Sequence, residues 1–380
     1  MKVVIAMDSF KGSMRSMEAG RAAREGILRV CSADVVVKPL ADGGEGTTQA
    51  LVEGLGGRYV HVAVTGPQGQ PVTARYGILA DGKTAVLEMA EAAGLTLVRE
   101  GERDAGRATT RGVGEMILDA IGRGCRDFIV GIGGSATSDG GVGMLQALGY
   151  EFLDAQGKEV GPGILGLGDI ETICVEQAAR QLKECRFRVA CDVGNPLYGE
   201  SGAVFVYGPQ KGIREAERAA FDEKMRHYAE RTGRFLGRRL DWEPGAGAAG
   251  GLGFAFLSYF PEARLETGAA LVLEAVGLKQ ELADADVVLT GEGRLDRQTA
   301  MGKAPIGVAR LAKCYGARVI AFAGGVAEGA EACHEQGIDA YFPIVRGAVS
   351  LAEAMEPERA KRNMAAAVEE VFRVMAGGGR

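Results

Sequence analysis

Residues 3–13 read Val3-Val-Ile-Ala-Met7-Asp8-Ser9-Phe10-Lys11-Gly12-Ser13, an apolar run that stops abruptly at an acid, a hydroxyl and a lysine. A short β-branched run without polar alternation is the pattern of a strand buried on both faces, and such strands belong to parallel sheets covered by helices. Working outward, Val35–Lys38, Phe128–Ile132, Val287–Thr290, Val319–Ala323 and Tyr341–Val345 share its character. Most are followed by a stretch with helical periodicity. The expectation is an α/β protein with a Rossmann-like parallel sheet and helices on both of its faces.

The residues that leave these runs point to a ligand. Asp8-Ser9, Asp42-Gly43-Gly44, Gly133-Gly134-Ser135, Gly291-Glu292-Gly293 and Gly324-Gly325 each stand directly after a run. In an open α/β sheet the ligand sits beyond the carboxyl ends of the strands, so these turns are expected to converge on one cleft.

Between Tyr59 and Arg99 the pattern becomes hairpin-like, with turn signals at Gly66-Pro67-Gln68-Gly69 and Asp81-Gly82. A second, inserted α/β domain with a mixed sheet is expected there. Its predicted extent is 59–106 and 149–261, leaving 1–58, 107–148 and 262–380 to a discontinuous Rossmann-like domain. No internal repeat of 20–50 residues is visible.

Bulk properties narrow the partners. A chain of 380 residues with 47% hydrophobic and 25% charged residues is an ordinary globular protein, long enough for two domains. A formal charge of −6 gives no broad basic face for nucleic acid. Seven scattered cysteines without a CxxC pair read as buried thiols of a reducing compartment, and three histidines leave little for a histidine-based metal site or triad. The amino-terminal apolar run is too short for a signal-peptide core, and the charge-free stretch Gly245–Phe260, rich in glycine, falls short of a membrane span. A soluble, cytoplasmic protein is expected, with a homo-oligomer open to it.

Two formal nucleotide motifs occur. Gly77-Ile-Leu-Ala-Asp-Gly82-Lys83-Thr84 fits GxxxxGK[ST], but its flanks alternate around Asp-Gly, which marks a hairpin rather than a strand-loop-helix phosphate cradle. Gly131-Ile-Gly133-Gly-Ser-Ala136, with Glu151 downstream, resembles a dinucleotide fingerprint and makes a nicotinamide-dependent hydroxy-acid oxidoreductase the alternative reading. A second glycine pair, Gly140-Gly141, delays the helix there and weakens that match.

The remaining motifs suit phosphoryl transfer, which needs oxygen ligands for Mg²⁺, a carboxylate at the attacking hydroxyl and cations at the phosphates. Lys11 offers the ammonium, while Asp8 or Ser9 is also able to cap the helix expected near Met14. Asp42 and Glu45 in ADGGEGT offer carboxylates, or equally an N-terminal capping box. Asp192 and Asn195 leave the run Phe187–Ala190 in a Pro-Gly turn, and Glu292, Arg294 and Asp296 stand just before Lys303.

Taken in order, DSFKGS, ADGGEGT, GIGGSATSDGG with GMLQALG, CDVGNPLYG, GPQKG, PGAGAAGGLG, LTGEGRLDRQT with MGKAP, and AGGV resemble the blocks of the bacterial glycerate kinase family, from Met1 to about Val345. Met7 stands where that family commonly has proline, and Gly194 where it commonly has threonine; neither alters a charged or hydroxyl group. The resemblance implies an ATP- and Mg²⁺-dependent kinase that phosphorylates D-glycerate in organic-acid catabolism, usually to 2-phosphoglycerate, with 3-phosphoglycerate as the other product open to it. On that reading Asp42, Asp192 and Lys11 are the expected catalytic groups. Ser9, Arg294, Lys303 and Asp296 are expected at the substrate, Gly133, Gly134, Ser135, Thr137 and Gly291 at the nucleotide, and Asp42, Glu45, Asp192 and Glu292 at the metal. Its expected partners are small molecules, with neither nucleic acid nor membrane among them.

Overall fold

The strands run in chain order as β1 Lys2–Met7, β2 Asp34–Pro39, β3 Gly57–Thr65, β4 Pro71–Leu79, β5 Thr84–Glu88, β6 Asp127–Gly131, β7 Glu151–Leu153, β8 Thr172–Cys174, β9 Arg186–Ala190, β10 Arg264–Glu266, β11 Val287–Leu295, β12 Arg318–Val326 and β13 Ala340–Pro343. This computed structural model describes residues 1–377; residues 378–380, assigned from sequence to the first domain, lie outside the described residues. The chain divides into two units, each described by itself: Met1–Asp42, Gln49–Gly56 and the chain from Gly268 onward, then Gly43–Thr48 with Gly57–Thr267.

The first unit carries a sheet of order β13-β12-β11-β1-β2 in which every pair is parallel. Val3, Ile5, Met7 and Leu289 pack with residues of the helices Ser16–Leu28 and Pro357–Gly377, and the alternate residues Val4 and Val288 are equally buried. Burial on both faces is what the unbroken apolar runs require. Relative to chain order within this unit, the sheet begins in the middle and reverses between β1 and β11. That reversal is the point where loops diverge and a crevice opens beyond the carboxyl ends.

One expectation is corrected here. Gly291-Glu292-Gly293 and Gly324-Gly325 are not exit loops, because β11 runs on to Leu295 and β12 to Val326, with Glu292 beside Ala323 and Arg294 beside Gly325. The glycines permit close strand approach: a Cβ on Gly291 would stand 2.1 Å from the Phe322 carbonyl oxygen. The acids Glu292 and Asp296 are thereby presented from the rim of the sheet rather than from a mobile turn.

The second unit holds a mixed sheet of order β10-β9-β6-β5-β4-β3 and a small antiparallel pair, β7 with β8. β3, β4 and β5 form the expected hairpins. Asp81 takes the amides of Lys83 and Thr84 and Gly82 adopts φ +69°, so the GxxxxGK[ST] match is a turn.

A second correction concerns 107–148, which the sequence groups with the first and last thirds. β6 lies between β5 and β9 in the mixed sheet, parallel to both, and Phe128 stacks on Phe187 with ring centroids 4.9 Å apart. Its apolar residues find their partners in this second core.

Candidate functional site

At the reversal point of the first sheet, β1 ends with the Asp8 amide donating to the Gly291 carbonyl at 2.8 Å. The chain then closes a small loop: Phe10 and Met14 exchange main-chain hydrogen bonds of 2.8 and 3.1 Å, and Gly12 adopts φ +79°. Lys11 sits at its tip with the side chain 71% exposed, and its Nζ lies 3.7 Å from Asp42 Oδ2. Ser16 Oγ donates to the Met7 carbonyl and accepts from the Leu40 amide, tying the ends of β1 and β2 together and holding the Asp8 and Asp42 turns in register. The helix begins at Ser16 and its start is closed by Arg15 and Glu18, so Asp8 and Ser9 do not cap it.

Asp8 is buried, with its carboxylate accepting the Ser9 amide at 2.6 Å. Burial above all, then the neighbouring Asp42 and Glu292 charges, push its pKa up to about 7, against the pull of the Ser9 amide and Lys11. The sequence places Asp8 among the strand-end groups expected at the ligand, and as a helix cap, without giving it a role of its own in the chemistry. Its residue type at the end of the central strand was the available signal, but burial was not.

Glu292 is also buried, and its pKa is raised by burial first and by Asp296 and Asp42 after it; the Thr299 hydroxyl, donating at 2.6 Å, and Lys303, at 3.7 Å, pull the other way. Asp296 Oδ1 receives the amides of Gln298 and Thr299, capping the short helix Arg297–Ala300, and lies 4.0 Å from Lys303 Nζ. Arg294, 70% exposed, is 3.8 Å from Asp296.

These groups line one cavity of about 710 Å³ together with Ser9, Gly324, Gly325 and an aliphatic wall that includes Val345, Val349, Leu351 and Met355. Lys11, Asp42, Ser9, Glu292, Arg294, Asp296 and Lys303 are thus brought together as the sequence suggests. Gly291 does not line the cavity; its backbone is packed inside the sheet against β12.

On the second unit, two of the parallel strands, β6 and β9, end in further sequence-predicted residues. Gly133 and Gly134 are exposed after β6, whereas Ser135 and Thr137 are buried. The helix waits for the second glycine pair and starts at Val142. The turn between is held firmly. Lys211, itself buried, donates to the Thr137 carbonyl at 2.6 Å, Gly140 donates to the Gly250 carbonyl, and buried Asp139 accepts from the Thr110 amide and hydroxyl and from the Gly141 and Gly143 amides.

Glu88, at the end of β5, takes the amides of Gly46 and Thr48, so a carboxylate outside the ADGGEGT turn helps to anchor it. Glu45 and Asp192 are exposed, and Asn195 is engaged in its own turn, donating to the Ser201 carbonyl and accepting from the Tyr207 hydroxyl. Glu88, Asp139 and Lys211 were not singled out from sequence. Among the seven free cysteines only Cys125, Cys185 and Cys333 are buried, fewer than expected.

Comparison with known proteins now decides the family. The model of the glycerate kinase family matches residues 3–376. The chain belongs to the glycerate kinase family. This kinase is 47% identical over 375 residues to the glycerate kinase of Bacillus subtilis (strain 168), covering 97% of the chain and 98% of the relative. It is 44% identical over 372 residues to the glycerate 2-kinase of Escherichia coli (strain K12), covering 96% and 97%. A crystal structure of a protein named as glycerate kinase 2 from Salmonella typhimurium LT2 superposes with a TM-score of 0.92 at 42% identity, covering 100% of this chain and 99% of that one. As a member of this family the protein is an enzyme, a transferase acting on small molecules, and among the described residues no helix is long and apolar enough to cross a membrane.

Proposed function

We propose that the kinase transfers the γ-phosphoryl group of ATP to the 2-hydroxyl of D-glycerate, giving 2-phosphoglycerate and ADP. The observation that carries this reading is the first-unit cavity, where Asp8, Asp42 and Glu292 face basic groups at the reversal point of a doubly wound sheet. Phosphoryl transfer asks chiefly for positioning and charge neutralisation, and this set offers both. The 2-hydroxyl as acceptor follows the name of the Escherichia coli relative.

Lys11 neutralises phosphate charge from the tip of its loop. Asp42, beside it, orients the attacking hydroxyl and receives its proton. Arg294 and Lys303 pair with the glycerate carboxylate, for which a guanidinium offers two parallel donors, and Ser9 hydrogen-bonds a substrate oxygen. Asp296 serves by capping the helix that leads to Lys303. On the second unit Gly133, Gly134, Ser135 and Thr137 are proposed to bind nucleotide, and Asp192 and Glu45 are the exposed acids that unit offers to the metal. Gly291 supports this chemistry through the backbone of β11.

Mg²⁺ fits the donor set, because Asp8, Asp42 and Glu292 gather carboxylate oxygens of the kind hard cations take in one cavity, where burial first, and the Asp42 and Glu292 charges after it, hold Asp8 near pKa 7. Asp42 and Glu292 would hold the ion, which when bound supplies charge neutralisation at the transferring phosphate.

The test is an ADP-release assay with D-glycerate, followed by phosphorus NMR of the product. Release of ADP with a phosphate on carbon 2 supports the reading. A phosphate on carbon 3 replaces the product, and no ADP release overturns the function.

A further inference from the structure

We propose that the aliphatic wall of the first-unit cavity, built by Ile344, Val345, Val349, Leu351 and Met355, seats the base of the nucleoside triphosphate; this rests on the kinase reading above. The acidic and basic groups of the cavity suit a hydroxy acid, a phosphate chain and a cation. They leave this wall without a purpose. A three-carbon hydroxy acid presents oxygen on every carbon and gains nothing from burying aliphatic side chains, whereas a nucleobase presents two flat apolar faces that gain by leaving water.

Size agrees with that assignment. About 710 Å³ falls in the range that encloses drug-sized ligands, well beyond the needs of a three-carbon acid. The side chains are also poised for an occupant: Leu351 is 75% exposed, and Val345, Val349 and Met355 are only partly covered. Ile344 anchors the wall in the core cluster of the first unit.

The wall adjoins the phosphate-binding groups. Met355 Cε lies 2.5 Å from where a Cβ on Gly12 would stand, so the methionine packs directly on the loop that carries Lys11. A base against Met355 and Leu351 therefore lies next to the ammonium that would meet its phosphates. Gly324 and Gly325 line the same cavity, and a Cβ on Gly325 would meet nothing within 4 Å, so β12 leaves room there. A nucleotide beyond the carboxyl ends of β12 and β13 would lie at the edge of the sheet where doubly wound folds take their ligands, beside the reversal between β1 and β11.

Leu351→Asp tests the assignment, since the side chain is outside the core. The KM for ATP should rise roughly tenfold or more, the KM for D-glycerate and the melting temperature should stay as in the wild type, and inhibition by inorganic tripolyphosphate, which has no base, should be unchanged. Should the aspartate variant melt lower, Leu351→Gln carries the same comparison without added charge. An unchanged KM for ATP, or equal weakening of ATP and tripolyphosphate, overturns the base site while wild-type turnover with glycerate leaves the kinase reading standing. A wild-type protein that releases no ADP with glycerate overturns both.

Discussion

Thr299 donates its hydroxyl to Glu292 at 2.6 Å while its amide is held by Asp296 at 3.1 Å, so one short turn fixes two acids of the cavity at once. The threonine is fully buried, and no water competes for the hydroxyl. Thr299→Val removes the donor at nearly constant shape and leaves a buried carboxylate short of a partner. A stability loss of about 1–3 kcal/mol is expected in denaturant unfolding. Because the hydroxyl pulls the Glu292 pKa down, its loss should raise that pKa further, read as an upward shift of the acidic limb in a pH–rate profile.

Asp42→Asn should reduce turnover by about 10²–10⁴-fold, the usual worth of a positioned base, with little change in melting temperature. The ion pair with Lys11 contributes little to stability, being largely exposed on the lysine side. A loss of kcat without unfolding is therefore the outcome to look for in steady-state kinetics. Near-normal turnover would remove Asp42 from the mechanism.

Much of the first-unit site was legible because its chemistry sits at strand ends in short polar motifs, and residue type alone singles out Lys11, Asp42, Glu292 and Lys303. Burial was not legible. Asp8 stood out only as a strand-end acid able to cap a helix, because a sequence does not say that the carboxylate is enclosed with two other acids, and nothing in GPQKG says that the Lys211 head group is buried against the Thr137 carbonyl. The allegiance of 107–148 was missed for a related reason. Parallel strands find partners far away in sequence, and nothing in Phe128-Ile-Val favours one apolar sheet over the other.

Gly250 and Gly82 make a matched pair for backbone strain, with φ of +70° and +69°. Around Gly82 a Cβ would meet nothing within 4 Å, so Gly82→Ala should lose only the left-handed penalty, about 1–2 kcal/mol. A Cβ on Gly250 would instead stand 2.1 Å from the Thr137 carbonyl oxygen and 2.6 Å from Ser138 Cα, both main chain. Gly250→Ala must therefore displace the turn that carries Ser135 and Thr137. It should be the more destabilising of the two in urea titrations and should also raise the KM for ATP, an effect absent from Gly82→Ala.

Lys211 gives the fold a pH dependence of its own. Burial pushes its pKa down to about 7 from the ordinary lysine value of 10.5, with Asp139 opposing. Between these two values the unfolded chain holds a proton that the folded one has released, so stability rises with pH through that window; below about 7 the buried charge is carried by both states and its desolvation cost is present in full. Lys211→Met removes both the titration and the hydrogen bond to Thr137. Its melting temperature relative to the wild type should accordingly be least unfavourable at pH 6 and fall behind as the wild type gains stability toward pH 9. A difference that stays constant across that range would mean the folded-state pKa lies near the unperturbed value and that the Thr137 contact is made by a fully charged ammonium.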